Sequence, residues 1–348
     1  MPDKNVITIA DVAQRAGVSR TSVSRYLNGR LQNLSASTTN RIAKAVKELD
    51  YRPNAWARSL KTKRSGLIGA VVADLRNEHA LAVLEGIESV VNRHGYGLLV
   101  SNAQNSQKYE AETIERLIRQ RVEGIILQPC DNRPSPAMQS LVSENVPLVL
   151  IDRTVDYEPT FDTVLLDNRD AVQKAFNHIL QRGYQHVFYV TDPTEHITSR
   201  IERENAVWQH QHDTATLRVF IRSTQEPENF TSAIHKFLEQ NSSAGQGVII
   251  CANVVTTLFV VSVLNQQHVQ VPEQVGLLAI DNPVWAPYVL GGITSIAQPT
   301  FELGQKAAER LMAQIQGEKS QAAKILRLPG SLIERQSTLR RFPSSHDL

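Results

Sequence analysis

The stretch that decides the reading is Thr8-Ile-Ala-Asp11-Val12-Ala-Gln-Arg15-Ala16-Gly17-Val18-Ser19-Arg20-Thr21-Ser22-Val23-Ser24-Arg25-Tyr26-Leu27-Asn28. Thr8 followed by Asp11 three residues later is a helix-start signal, with a carboxylate placed near the helix's positive end. Val12 and Ala16 share one face, and Gly17 supplies the left-handed residue that stops the helix. Ser19 caps a second helix in which Val23 and Leu27 stand four apart, and Asn28-Gly29 ends it. A third helix is expected from Ser35 to about Leu49, with Ile42, Ala45, Val46 and Leu49 inward. Two short helices joined by a tight glycine turn make a helix-turn-helix, and the third closes a small core. With Val23 and Leu27 inward, the outward set includes Arg20, Thr21, Ser24 and Arg25. In this motif the start of the second helix meets base edges in the major groove. Arginine presents a fork to guanine, and threonine a methyl or hydroxyl to a base edge.

Charge supports that reading. The 348 residues carry 37 Lys/Arg and 35 Asp/Glu, a net +2. Residues 1–64 hold 13 Lys/Arg and 4 Asp/Glu, or +9, which leaves 2 − 9 = −7 for the rest. A basic head on an acidic body is expected when only the head meets a polyanion. No apolar run reaches the ~20 residues of a membrane span, and the first residues lack a secretory pattern, so a cytoplasmic protein is expected. Cys130 and Cys251 stand far apart in apolar stretches and are read as reduced core thiols.

Residues 52–65 read as a hinge. Pro53 separates the third helix from Asn54 to Lys61, a segment too short to be a stable helix by itself. From Gly66 the pattern changes to short apolar runs alternating with amphipathic helices. Strands are expected near 67–73, 96–100, 124–127 and 147–151, then near 163–166, 186–190, 217–221, 247–251 and 275–279. This alternation implies doubly wound α/β layers in two lobes. The fold class is therefore a three-helix head joined to a two-lobed, doubly wound α/β body.

No phosphate loop, nucleophile elbow or His-Glu-x-x-His pair is present, so no enzyme activity, cofactor or metal is expected. His210 and His212 lack a third ligand and are read as surface residues. Three polar residues follow apolar strands: Asp152 after Leu148–Ile151, Asn253 after Val248–Ala252 and Asp281 after Gly276–Ile280. Strand ends of this kind line the clefts of doubly wound folds. They can equally cap helices or satisfy turns. Arg153 follows Asp152, while Arg200 and Arg203 lie three apart on one helix face. A carboxylate on a polyhydroxy chain fits three guanidinium groups, with Asp281 and Asn253 left to bind hydroxyls.

Residues 8–28, with Tyr51-Arg-Pro-Asn54 and Ala57-Arg58-Ser-Leu60-Lys61, closely resemble the lac and gal repressor family, and a weaker likeness continues to about residue 339. The resemblance implies a sequence-specific transcription regulator, acting as a repressor, that binds a near-palindromic DNA operator as a homodimer and answers to a small carbohydrate-like effector. It implies DNA contacts from Thr8, Ser19, Arg20, Thr21, Ser24, Arg25, Asn28, Asn54, Ala57, Arg58 and Lys61, with Leu60 as a minor-groove wedge. It implies effector contacts from Arg203, Asn253 and Asp281, and the strand-end Asp152 with Arg153 beside it is read into the same effector site. It also implies a periplasmic-binding-protein-like body over 66–341 crossed three times, near 162, 292 and 325. Lobe 1 is then about 66–162 with 293–324, and lobe 2 about 163–292 with 325–341, behind a head at 1–51. The short tail after Arg341 lacks leucine heptads, so a dimer joined along the body is expected rather than a four-chain assembly.

Several positions depart from the family pattern. Ala206 replaces a usual Gly, Val254 and Asn282 replace acidic residues, and Gly291-Gly292 replaces a proline pair. Ser22 to Gly29 and Asp281 to Ala286 look nearer to the family's ketogluconate-type regulators, which points to a sugar acid. A neutral sugar or sugar phosphate is the alternative. A transport receptor is the rival from another class, and residues 8–61 argue against it.

Overall fold

The computed structural model describes residues 7–27, 29–51, 64–157, 161–213, 218–223, 227–241, 246–317 and 323–339. It divides into two compact units, Met1–Ser65 and Gly66–Leu348.

In the first unit α1 (Ile9–Ala16), α2 (Arg20–Leu27) and α3 (Ala36–Glu48) surround one small core. The carboxylate of Asp11 accepts hydrogen bonds from the backbone N–H (2.8 Å) and hydroxyl (2.7 Å) of Thr8. Gly17 ends α1 at φ 62°. Ser19 and Ser35 cap the next two helices by accepting from Ser22 N and Thr38 N. Val12, Ala16, Val23, Ile42 and Ala45 form the buried centre, with Leu27, Val46 and Leu49 packed round it. Arg15 of α1 pairs with Glu48 of α3 at 2.6 Å.

The second unit carries two sheets. The first has the order β11-β5-β4-β3-β1-β2, from β1 (Leu67–Val72), β2 (Gly97–Asn102), β3 (Ile125–Leu127), β4 (Leu148–Ile151), β5 (Asp162–Leu166) and β11 (Ile325–Leu328). All its pairings are parallel. The second has the order β12-β10-β9-β8-β6-β7, from β6 (His186–Thr191), β7 (Arg218–Ser223), β8 (Gly247–Cys251), β9 (Gly276–Ile280), β10 (Thr294–Ala297) and β12 (Ser331–Ile333). Only its β10–β12 pairing is antiparallel. Apolar layers cover both faces of each sheet, the reason the strands read as nearly continuous hydrophobic runs. Helices α4 (Glu78–Arg93), α5 (Gln107–Arg119), α6 (Pro136–Ser143) and α11 (Thr300–Ile315) belong with the first sheet. Helices α7 (Asn168–Gln181), α8 (Thr198–Asp213), α9 (Pro227–Asn241) and α10 (Val254–Gln266) belong with the second.

The lobe boundaries differ from the expected ones. Strand β5 pairs with β4 in the first sheet, β10 joins the second, and β11 returns to the first. The chain therefore crosses near 167, 298 and 329 instead of 162, 292 and 325. An apolar run shows that a strand is buried but not which sheet it joins, and here each crossing follows the strand that seemed to begin the next lobe.

Helices α4 and α11 approach so closely that only glycine fits at their crossing. A Cβ on Gly304 would lie 2.1 Å from the carbonyl oxygen of Val83, and one on Gly86 2.0 Å from that of Phe301. Both obstacles are backbone, so relief requires the helices to separate. Gly304→Ala is expected to cost about 2 kcal/mol in urea unfolding. Unchanged stability would contradict this packing.

Cys130 and Cys251 are buried free thiols, and burial with the Glu110 carboxylate nearby pushes Cys130 up to about 12. Among the described residues no helix is long and apolar enough to cross a membrane.

Candidate functional site

Two surfaces carry the sequence-expected residues. On the head, Thr8, Ser19, Arg20, Thr21 and Arg25 are exposed and Ser24 is half-buried, while Val23 beneath them is fully buried. Helix α2 and its cap thus present two guanidinium groups, Arg20 at its start and Arg25 in its last turn, with several hydroxyls, from a three-helix support. Asn28, Asn54, Ala57, Arg58, Leu60 and Lys61 lie outside the described residues.

In the body, strand order reverses between β1 and β3 in one sheet and between β6 and β8 in the other. Doubly wound sheets bind ligands beyond the carboxyl ends of their strands at such switch points. Loops after these strand ends meet across the lobes: Asn132 N donates to His196 O at 2.8 Å, and Thr154 N to the Thr198 hydroxyl at 3.0 Å. A cavity of about 260 Å³ lies alongside, lined by His79, Asp281, Asn282 and Gln298 among others.

Asp152 ends β4 at φ +65°, outside the usual range for a non-glycine residue, and is 9% exposed. Its carboxylate accepts from Gln128 Nε2 at 2.8 Å and lies 3.9 Å from His79 Nε2. Burial opposes its ionisation, but the charges of His79, Arg153 and Arg203 outweigh burial and hold it below the ordinary carboxylate range. Asp281, at φ +116° after β9, accepts from Gln298. Here burial wins over His79 and Arg203, and its pKa is raised.

Arg203 is 5% exposed; its Nε donates to Asn168 Oδ1 at 2.7 Å and its Nη1 to Ala252 O at 2.6 Å. Arg153 spends Nη1 on Pro129 O at 2.9 Å, and its buried Nε makes no hydrogen bond to protein. Arg200 pairs with Asp192 at 3.3 Å and donates to Pro193 O. Burial, with the charges of Arg153 and Arg203, lowers the pKa of Arg200. The three guanidinium groups therefore share one neighbourhood, together with both strand-end acids.

Asn253 sits at the end of β8 with its amide committed at both ends. Its Oδ1 accepts from Thr256 N at 2.9 Å, capping α10, and its Nδ2 donates to Asp192 at 2.9 Å. Asn253 thus caps α10 and holds Asp192 in place. Sequence reasoning passed over His79, Gln128, Asn168, Asp192 and Gln298. His79, buried in the first turn of α4 with neither ring nitrogen hydrogen-bonded to protein, is the most telling omission, since buried polar atoms are normally partnered. Its one sequence signal is a histidine in a helix start directly after a buried strand. His210 is half-buried, its ring stacked on Phe176 with centroids 4.5 Å apart where α8 packs on α7.

The two acids have opposite pH signatures. Asp152, depressed, stabilises the fold above its unfolded pKa, and that contribution is lost as pH falls through the folded value. Asp281, raised, favours the fold when protonated, and that contribution is lost as pH rises through the folded value. Asp281→Asn is therefore expected to raise the melting temperature at pH 7, with the gain vanishing below the ordinary carboxylate range. A gain that grew on acidification would contradict the assignment.

A family model described as "Bacterial regulatory proteins, lacI family" matches residues 8–54, and one described as "Periplasmic binding protein-like domain" matches 176–338. The HTH-type transcriptional regulator PtxS of Pseudomonas aeruginosa is 38% identical over 338 residues, covering 97% of each chain. The HTH-type transcriptional regulator KdgR of Bacillus subtilis is 32% identical over 334 residues, covering 95% of this chain and 97% of its own. Among solved structures, the lac repressor dimer bound to operator and the anti-inducer ONPF superposes with a TM-score of 0.81 at 23% identity, covering 96% of this chain and 99% of that one. The transcriptional regulator CelR–cellobiose complex gives 0.67 at 23% identity, covering 95% and 99%. Head, cleft and relatives agree: the chain belongs to the lacI family of bacterial regulatory proteins and is a helix-turn-helix transcription regulator with a small-molecule-sensing body.

Proposed function

We propose that the effector is a sugar acid of the ketogluconate kind, bound between the lobes by Arg153 and Arg203, with Asp152 and Asp281 taking its hydroxyls. One observation carries this: the buried Nε of Arg153 makes no hydrogen bond to protein and lies 3.7 Å from Asp152, where the Thr154–Thr198 contact brings it beside the start of the helix that carries Arg200 and Arg203. Around these cations stand Asp152, Asp192 and Asp281, and burial raises the pKa of Asp281. A carboxylate suits a cluster of guanidinium groups, because arginine pairs it in a bidentate fork. The hydroxyl-binding acids favour a polyhydroxy chain over a simple carboxylate.

On the DNA side, we read α2 as the major-groove helix, with Arg20, Thr21 and Arg25 at base edges and Thr8, Ser19 and Ser24 toward the backbone. Leu60 serves as the minor-groove wedge, flanked by Asn54, Ala57, Arg58 and Lys61. One short helix makes too few base contacts for tight specificity, so a homodimer reads a near-palindromic operator.

Calorimetric titration with 2-ketogluconate, gluconate, ribose, galactose and fructose phosphates tests the effector reading. A sugar acid is expected to bind at least tenfold more tightly than the neutral sugars. Preference for ribose, galactose or a fructose phosphate would overturn it.

A further inference from the structure

We propose that Asn168 is a positioning residue that ties the Arg203 guanidinium to a cross-lobe latch, the Glu202–Arg327 ion pair, so that the aim of Arg203 and lobe closure are set together. This rests on Arg203 being an effector ligand. Asn168 opens α7 immediately after the chain crosses from β5 into the second lobe, and it is 1% exposed. Its Oδ1 accepts from Arg203 Nε at 2.7 Å, and its Nδ2 donates to Glu202 Oε2 at 2.8 Å. Two adjacent residues of α8, of opposite charge, are thus bridged by one buried amide. Turning that amide over would aim its NH₂ at a guanidinium and its carbonyl at a carboxylate, so the charges dictate its orientation.

Glu202 in turn faces the other lobe. Arg327, on the edge strand β11 of the first sheet, grips it with both terminal nitrogens, Nη1 to Oε2 at 3.0 Å and Nη2 to Oε1 at 2.7 Å. A half-exposed pair adds little stability by itself. Its geometry is nevertheless demanding, because both forks break if the lobes part by an ångström or so. The crossing strands are held beside it by Asp167 N donating to Leu328 O at 2.7 Å. A continuous chain of charge-assisted contacts therefore runs from the cleft through Arg203, Asn168 and Glu202 to the far lobe.

The test uses the full chain in two arms. In amide hydrogen exchange without ligand, Arg327→Gln and Glu202→Gln are expected to speed exchange about tenfold at 167–171 and 324–331. Asn168→Ala is expected to do so at 199–206. The charge-reversed double variant Glu202→Arg/Arg327→Glu restores the crossing segments. In titration with 2-ketogluconate, Asn168→Ala is expected to bind about tenfold more weakly and Arg327→Gln about threefold. Combining them should weaken binding no further than Asn168→Ala alone. The charge-reversed pair should stay weak for ligand, because Asn168 then turns its carbonyl toward the guanidinium introduced by Glu202→Arg and away from Arg203. Unchanged exchange in the variants, or ligand losses that simply add, would overturn the latch. A wild-type chain that binds no sugar acid would sink the effector reading, while the exchange arm still decides the latch.

Discussion

Replacing Arg203 by glutamine is expected to weaken 2-ketogluconate binding at least about 100-fold, the scale of losing one partner of a buried, hydrogen-bonded charge pair. The guanidinium is fixed at two points by Asn168 and Ala252 O and sits among acids on both lobes. Glutamine can still donate to one of those acceptors, but it supplies neither charge nor fork. Arg203→Lys keeps the charge and loses the planar fork, so an intermediate loss is expected. Ligand-free affinity for operator DNA should change less than about twofold in both variants, because the head's core contains no residue of the body. Isothermal titration together with filter binding separates the two effects. Near-normal affinity in Arg203→Gln would remove Arg203 from the effector site.

The second large effect is expected at Leu60. In the hinge resemblance this side chain wedges between base steps, and an apolar wedge offsets an unstacking cost of a few kcal/mol by allowing DNA to bend. Leu60→Ala should therefore reduce operator affinity by about 2–3 kcal/mol, close to 100-fold, while 2-ketogluconate affinity is unchanged. Arg25→Ala serves as the comparison. Its loss should be about 1–3 kcal/mol and confined to one base position in each half-site. Mobility shifts on operator and random duplexes distinguish the two from loss of mere phosphate attraction, which lowers both equally. Equal losses on both duplexes would contradict the wedge and the base-reading assignment together.

Much of this architecture was legible because the head obeys local rules. Thr8, Gly17, Ser19 and Ser35 mark helix ends within a few residues, so α1, α2 and α3 lie where caps and spacing place them. Asp152, Asn253 and Asp281 were also visible, since each is the first polar group after a buried apolar run. What they do was less visible. Nothing before folding shows that Asn253 caps α10 or that Asp281 lines the cavity. The lobe crossings were misplaced because β5 and β10 pair with the strands just before them in the chain while β11 returns to β5 far upstream, choices that local hydrophobicity does not record. His79, Asn168 and Glu202 carried no motif. Each is an ordinary polar residue on a helix, and it gains meaning only when α4, α7 and α8 bring it against partners from distant segments.

The central claim is that a DNA-reading head answers to an acidic sugar held in the body. It is tested most directly by fluorescence anisotropy of the full chain on a duplex selected from random sequences, titrated with 2-ketogluconate and, separately, galactose. The account predicts a near-palindromic site bound by a dimer, with an affinity that 2-ketogluconate shifts at least about tenfold and galactose leaves alone. Arg203→Gln should bind the same duplex and ignore both. A shift produced by galactose and not by 2-ketogluconate, or one that persists in Arg203→Gln, would contradict it.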